Sequence, residues 1–390
     1  MLKRLYIHNY KCLVNFEFKM DEDYPHSALL IGKNGAGKSS IAEVLEILRR
    51  IGWGHSNLLP LHGELGQEVQ PLVSLEHFAF GNTGQPMCFE LDVELGGRLC
   101  KYKLGIELTP LKNTALRIAH EELFVDGNFR FSREQTKVNF SQNQTTPYTY
   151  DWNSVYLPGF SERDPKYEKT VNAFKIWLKQ MLILAPIPRI MRAQLRSKSL
   201  YLQNDAANIT DWRAGLFERN PDAYVDVKNR YLKSVFPDFD GFRNEPDEFG
   251  AQYLTVLFKN NNDDTKTMIR FDHLSDGEKC VFLAAFVMMA STMGDSVFCF
   301  WDEPDNYLAL SEVELLIATL KSNFSKRGQI FVTTHNPETL AGYAEDNTYI
   351  IYRENHLSHT RSPKTVAQWR EEQGFTGNLV AAWALGDIDA

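Results

Sequence analysis

Residues 28 to 48 read ALLIGKNGAGKSSIAEVLEIL: a short apolar run, a glycine-bearing loop, and then apolar residues at 41, 44, 45, 47, 48 and 51 on one helical face. Few patterns restrict a fold more, because the strand must stop where the loop begins and the helix must start where the loop ends. The loop fits G-x-x-x-x-G-K-[ST] through Gly32, Gly37, Lys38 and Ser39. Glycines let the backbone close around phosphate oxygens with its N–H groups turned inward. Lys38 would place a cation near the β and γ phosphates, and Ser39 would offer a hydroxyl to Mg2+. The following helix aims its positive end at the anion. Asn34, Gly35 and Ser40 complete the predicted ATP-binding set, and the predicted cofactors are ATP and Mg2+.

Composition excludes several other classes. With 390 residues, 43% apolar and 24% charged, the chain has ample core, and these globular values argue against long disorder. A net charge of −8, from 42 basic and 50 acidic residues, argues against a general electrostatic grip on nucleic acid. The five cysteines are scattered and form no C-x-x-C pair, which fits a reduced compartment. The start, MLKRLYIHNYK, has no apolar core of a signal peptide, and the apolar run over 280–293 is too short to span a bilayer. A cytoplasmic location without a membrane partner is expected.

Two further strands carry chemistry at their ends. VFCFWDEP, residues 297–304, is an apolar strand finishing in two carboxylates. There Asp302 would hold Mg2+, and Glu303 would polarise a water in line with the γ-phosphate. QIFVTTHN, residues 329–336, ends in His335, which would hydrogen-bond the γ-phosphate or the attacking water. Ligands sit at the carboxyl ends of strands in parallel sheets, so these ends are expected on the P-loop's edge. Ahead of Asp302, LSDGEK at 274–279 precedes the apolar stretch CVFLAAFVMMASTM. Ser275 and Glu278 fit a capping box, and the same turn could present hydroxyl and N–H groups to a phosphate. One turn can do both.

In this order and spacing the motifs resemble the ABC-type ATPases of the RecF and SMC kind. The resemblance covers the first fifty-odd residues and roughly 250–352. It implies that two copies pack head to tail, so that Ser275, Gly277 and Glu278 of one close over the nucleotide of the other. Asp305 and Asn306 take the place of the D-loop, within 305–308. LYIHNYK stands where the family begins, putting Lys11 in the nucleotide-proximal basic position. A Q-loop glutamine is not evident; Gln67, Gln70 and Gln85 are the candidates.

The expected fold is therefore α/β: an ABC-type ATPase head, a P-loop mixed sheet flanked by helices. Its N-terminal lobe would be 1–110, with strand pairs such as CFELDVEL and CKYKLGIEL joined through Gly96-Gly97. A mostly helical insert over 111–248 would follow, then a C-terminal lobe over 249–390. The insert has no heptads, so the rope-like arm of SMC proteins is excluded. The short arm is similar to the ATPases of two-gene anti-phage systems, PARIS-like, Septu-like and retron-associated. That likeness implies a switch controlling a separate effector, a nuclease. The 55 residues after His335 are too few for a fused nuclease with its own core. The alternative is a RecF-like ATPase that binds DNA directly in repair or replication. A dimer or higher homo-oligomer is expected in either case.

One basic segment bears on that alternative. In PIPRIMRAQLRSKS, Arg189, Arg192 and Arg196 fall at i, i+3 and i+7 behind Pro188, with Lys198 nearby. A helix face meeting a phosphate backbone or a partner is one reading, and a solvated basic face is the other. His55, His62 and His77 lack the regular spacing of a zinc site.

Overall fold

The computed structural model describes residues 1–62, 68–110, 115–140, 148–260, 265–294, 296–334, 339, 347–365 and 368. The chain divides into two compact units, Met1–Met181 with Glu345–Ala390, and Leu182–Ala344.

The first unit opens with β1 (Leu2–His8) and β2 (Phe16–Lys19), followed by β3 (Ser27–Ile31) and α1 (Lys38–Gly52). A two-residue ladder, β4 (Leu61–His62) with β5 (Glu68–Val69), precedes a long meander. The meander comprises β6 (Met87–Leu95), β7 (Arg98–Leu108), β8 (Leu116–Val125), β9 (Asn128–Glu134), β10 (Lys137–Phe140) and β11 (Tyr148–Thr149). Together with β1 and β2 these strands form one antiparallel sheet, in the order β11-β10-β9-β8-β7-β6-β1-β2. Strict alternation builds it: Met87, Phe89, Leu91, Val93 and Leu95 turn inward while the residues between them face out. The buried face packs on α2 (Pro165–Gln180), where the Tyr102 and Phe174 rings lie 5.9 Å apart. On the outer face Arg4 bridges Glu17 at 2.6 Å and Glu90 at 2.7 Å, a cross-strand charge ladder. Tight turns need positive φ at both central residues; Gly96-Gly97 (+56° and +75°) and Asp126-Gly127 (+51° and +74°) supply it.

The second unit begins with β12 (Leu182–Leu184) and β13 (Gln194–Leu195). Helices α3 (Ile209–Arg219), α4 (Pro221–Val227) and α5 (Lys233–Val235) follow, the last two joined by a π-helical turn. Then come β14 (Phe239–Pro246), β15 (Gln252–Lys259), β16 (Lys266–Arg270), α6 (Asp276–Ser291), β17 (Val297–Asp302), α7 (Leu310–Arg327) and β18 (Gly328–Thr333). Strands β12, β17 and β18 pair in parallel, as the continuous apolar runs VFCFW and QIFV require of strands buried on both faces. A separate antiparallel sheet places β15 against β13, β14 and β16. Phe239 and Phe242 from this sheet meet Phe282 of α6 at 5.6 and 5.2 Å. α6 is apolar around its whole circumference and buried from Lys279 to Ser291, as expected of a central helix. The chain then returns to the first unit as β19 (Thr348–Glu354), parallel to β3, and β20 (Leu357–Arg361), antiparallel to β19.

The α/β head fold is present, with no coiled-coil arm among the described residues. One expectation is corrected: the stretch 111–248 is not mainly helical from its start, because β8 to β11 extend the antiparallel sheet to Thr149. Two irregularities hid β8. A register shift at Gly105/Ile106 interrupts its pairing with β7, and Glu121 occupies an inward position where an apolar residue would mark a strand.

Candidate functional site

The P-loop has the geometry that its sequence demands. All five residues of β3 are buried, and the chain leaves the strand at Gly32. A Cβ on Gly32 would overlap the Ile351 carbonyl oxygen of β19, so only glycine fits there. Gly37 caps α1 with φ of +106°, and a Cβ on it would lie 2.6 Å from Ser358 Oγ and 3.1 Å from Cys12 Sγ. No side chain caps α1, and its first turn holds no acidic residue. Its leading N–H groups are thus directed along the helix axis toward the loop, the arrangement that binds anions. Lys38 is only 7% exposed and donates to the Gly32 carbonyl and, at 3.3 Å, to that of Lys33. Asn34, Gly35 and Ser39 are exposed and Ser40 is half-buried.

A turn not singled out for packing holds this loop from the side. Cys12 and Leu13 abut Gly37, and the Ser358 N–H donates to the Cys12 carbonyl at 3.0 Å. Lys11, at φ +50°, forms an ion pair with Glu43 of α1. Its neighbour Tyr10 donates to the same carboxylate at 3.0 Å; burial and that charge raise the phenol's pKa far above its ordinary value. Arg353 of β19 lies beside Gly35, 3.6 Å from where its Cβ would be. Sequence reading missed Arg353 and Ser358, which follow β3 only through long-range pairing.

In the second unit, β17 ends at Asp302, whose carboxylate accepts the Thr333 hydroxyl of β18. The chain then bends at Glu303, which adopts φ of +50°, uncommon for a residue other than glycine. Its N–H donates to the Thr333 hydroxyl at 3.1 Å, and Asn306 Nδ2 donates to its Oε2 at 2.6 Å. One threonine therefore fixes the Asp302 carboxylate and the backbone of Glu303, while Asn306 holds the Glu303 carboxylate. Asp305 is only 5% exposed; its Oδ2 accepts the Thr334 and Thr339 hydroxyls, each at 2.7 Å. Thr333, Thr334 and Thr339 escaped sequence reading because threonines beside a histidine carry no signal of their own. His335 lies outside the described residues, as does Gln67.

The LSDGEK turn is a complete capping box. Ser275 Oγ accepts from the Glu278 N–H at 3.3 Å, and Glu278 Oε2 accepts from the Ser275 N–H at 2.8 Å. Gly277 has a packing role as well, since a Cβ there would sit 2.8 Å from the Tyr307 carbonyl oxygen. Ser275→Ala is expected to lower unfolding free energy by about 1 kcal/mol, measurable as a shift in urea midpoint at constant m-value.

The basic segment does not form the predicted helix. Pro188–Ile190 is a single 3-10 turn and Gln194–Leu195 is strand β13. Backbone donors claimed from afar explain it: Ile187 and Arg192 donate to the carbonyls of Asp205 and Ala207, and Arg196 to the Asp211 carboxylate. The side chains are dispersed accordingly. Arg189 pairs with Asp276 at 3.4 Å, Arg192 donates to the Ala207 carbonyl, Arg196 to Gln194, and Lys198 pairs with Glu218. The i, i+3, i+7 stripe does not exist.

Among the described residues no helix is long and apolar enough to cross a membrane. No curated protein matches the chain. A crystal structure of an SMC head bound to the C-terminal winged-helix domain of ScpA is similar to it at a TM-score of 0.53 and 12% identity, covering 94% of this chain and 99% of that one. The SMC head domain from Thermotoga maritima aligns at a TM-score of 0.45 and 12% identity, covering 93% and 98%. Residues 27–341 match the family described as "AAA domain, putative AbiEii toxin, Type IV TA system". That span contains the P-loop, the capped LSDGEK turn and the carboxylate pair, and the chain belongs to this AAA-domain family, with the fold of an ABC/SMC-type ATPase head.

Proposed function

We propose that this chain is an ATP-hydrolysing switch that joins a second copy of itself when ATP is bound and thereby controls a separate effector, a nuclease, in anti-phage defence. The observation that carries the ATP reading is the uncapped, acid-free start of α1 behind a loop in which Gly32 and Gly37 leave no room for a side chain. In this reading Lys38, Ser39, Ser40 and the backbone of Asn34 and Gly35 hold the phosphates. Ser39 and Asp302 hold Mg2+, which offsets phosphate charge when bound. Glu303 takes the proton of the attacking water, and His335 hydrogen-bonds the γ-phosphate or that water. Ser275 and Gly277 reach the nucleotide of the second copy, with Asp305 and Asn306 beside that junction. The similar SMC head carries a winged-helix domain of another protein, a precedent for a protein partner. The net charge of −8 and the dispersed arginines favour a protein partner over a DNA clamp.

The test separates the cap from the trans contact. Aspartate caps a helix as well as serine does, yet its charge repels phosphate. Light scattering with ATP and Mg2+ should show the Glu303→Gln chain doubling its mass. The Glu303→Gln/Ser275→Asp chain should remain at its nucleotide-free mass while keeping wild-type stability. Equal masses with and without ATP would overturn the switch. Tagged Glu303→Gln chain recovered from cells should bring a stoichiometric, DNase-insensitive second protein; DNA with no second protein would favour the RecF-like alternative.

A further inference from the structure

The β9–β11 end of the antiparallel sheet carries a second cavity, of about 540 Å³, within the range of small-molecule sites. Phe140, Tyr148, Tyr150, Tyr156 and Phe160 supply its walls. The Tyr150 and Tyr156 rings meet edge-on at 4.9 Å, and Phe140 and Phe160 are near parallel at 6.3 Å. Tyr148 joins the lining with 54% of its surface exposed, its ring 6.5 Å from that of Tyr150.

A buried polar scaffold fixes this cavity and serves nothing at the P-loop. Glu121, wholly buried, accepts the N–H groups of Tyr156 at 2.7 Å and Leu157 at 2.8 Å, and the Tyr102 hydroxyl at 2.9 Å. Burial raises its pKa. Arg133 donates to the carbonyls of Ser154, Asp151 and Gln135, and its guanidinium lies over the Tyr150 ring. Buried charges are tolerated when fully hydrogen-bonded, and they then impose one geometry on the segment they hold. The aromatic wall over 148–160 is therefore set before any ligand arrives.

Charge selects the ligand. An aromatic cage alone would suit a cation. Here the one lining carboxylate among the described residues, Glu162, is paired with Arg130 at 2.8 Å, both side chains 5% exposed or less. Arg163 is exposed in the same lining and has no ion-pair partner among the described residues. The lining thus presents π-faces and, beside the paired Arg130, the guanidinium of Arg163, which matches a flat aromatic group bearing an anion. We propose that this cavity binds a nucleobase carrying a phosphate: the base stacks on Tyr148 and Tyr150, and Arg163 pairs with the phosphate. The source is a free mononucleotide or a single-stranded nucleic acid, and the proposal is independent of ATP binding at the P-loop.

The test uses the full chain carrying Lys38→Ala, so that the P-loop competes less, with its fold checked by thermal melting. AMP, GMP, adenosine and a single-stranded hexathymidylate are titrated by calorimetry. Saturable one-site binding is expected, weakened roughly tenfold by Tyr148→Ala and by Arg163→Ala and retained in Tyr148→Phe. Adenosine should bind more weakly than AMP and be indifferent to Arg163→Ala. Tighter binding of AMP or GMP identifies free nucleotide as the source; tighter binding of the hexamer identifies nucleic acid. Absence of saturable binding by every probe, or binding unchanged in both alanine variants, overturns the proposal. Neither result bears on ATP turnover, which is read separately in the chain with Lys38 intact.

Discussion

Lys38→Ala is expected to weaken ATP binding by roughly ten- to a hundredfold and to abolish turnover at physiological nucleotide concentrations. The magnitude follows from losing a charge-assisted contact of about 1.5–3 kcal/mol. Lys38 is largely buried and donates to the Gly32 and Lys33 carbonyls, so its ammonium is held over the loop it serves. The rest of the cradle survives in the variant, because Gly37's left-handed turn and the approach of Gly32 to Ile351 owe nothing to the lysine. Binding should therefore fall without collapse of the unit. Calorimetry with a non-hydrolysable ATP analogue, beside a thermal melt without nucleotide, checks both halves. Undiminished affinity with an intact fold would mean that the phosphates do not sit in this loop.

Glu303→Gln should bind ATP as the wild type does and hydrolyse it about 10²–10⁴ times more slowly, the usual contribution of a general base. The substitution is nearly isosteric. The N–H contacts to Thr333 and the left-handed backbone do not involve the carboxylate, and a carboxamide oxygen still accepts from Asn306 Nδ2. A positive φ at a residue other than glycine costs about 1–3 kcal/mol, and such positions cluster at functional sites. Here it carries the chain out of β17 at the residue proposed as the base. Single-turnover hydrolysis and filter binding on the same preparation separate chemistry from affinity. A wild-type rate in the variant would remove Glu303 from the mechanism.

The parts of the site that sequence made legible are those whose cause is local. The strand, loop and helix of residues 27–52 follow from an apolar run, glycine spacing and helical periodicity, all within a few residues of one another. The capping box at Ser275 and Glu278 is equally short-range, and it forms as the spacing predicts. So do the Gly96-Gly97 hairpin and the buried positions of α1 at 41, 44, 45, 47, 48 and 51.

Two stretches whose local pattern conflicts with their distant backbone partners are not legible in the sequence. The arginine run has helical spacing, yet its N–H groups are taken by carbonyls at 205 and 207 and by Asp211, and extended structure wins. Strand β8 was obscured by an inward glutamate whose hydrogen-bond partners, at 102, 156 and 157, no local pattern announces.

By itself, then, the sequence determined that a glycine-bearing loop joins a buried strand to a helix over residues 27–52, and that two carboxylates end a buried strand. Only the tertiary structure decided that Ile351 and Ser358 crowd the loop glycines, that Thr333 fixes Asp302 and the backbone of Glu303, and that Glu121 sets the aromatic wall of a second cavity. Hydrogen bonds and steric exclusion act over a few ångströms between residues tens to hundreds of positions apart, and such pairings leave no periodic trace in a single chain.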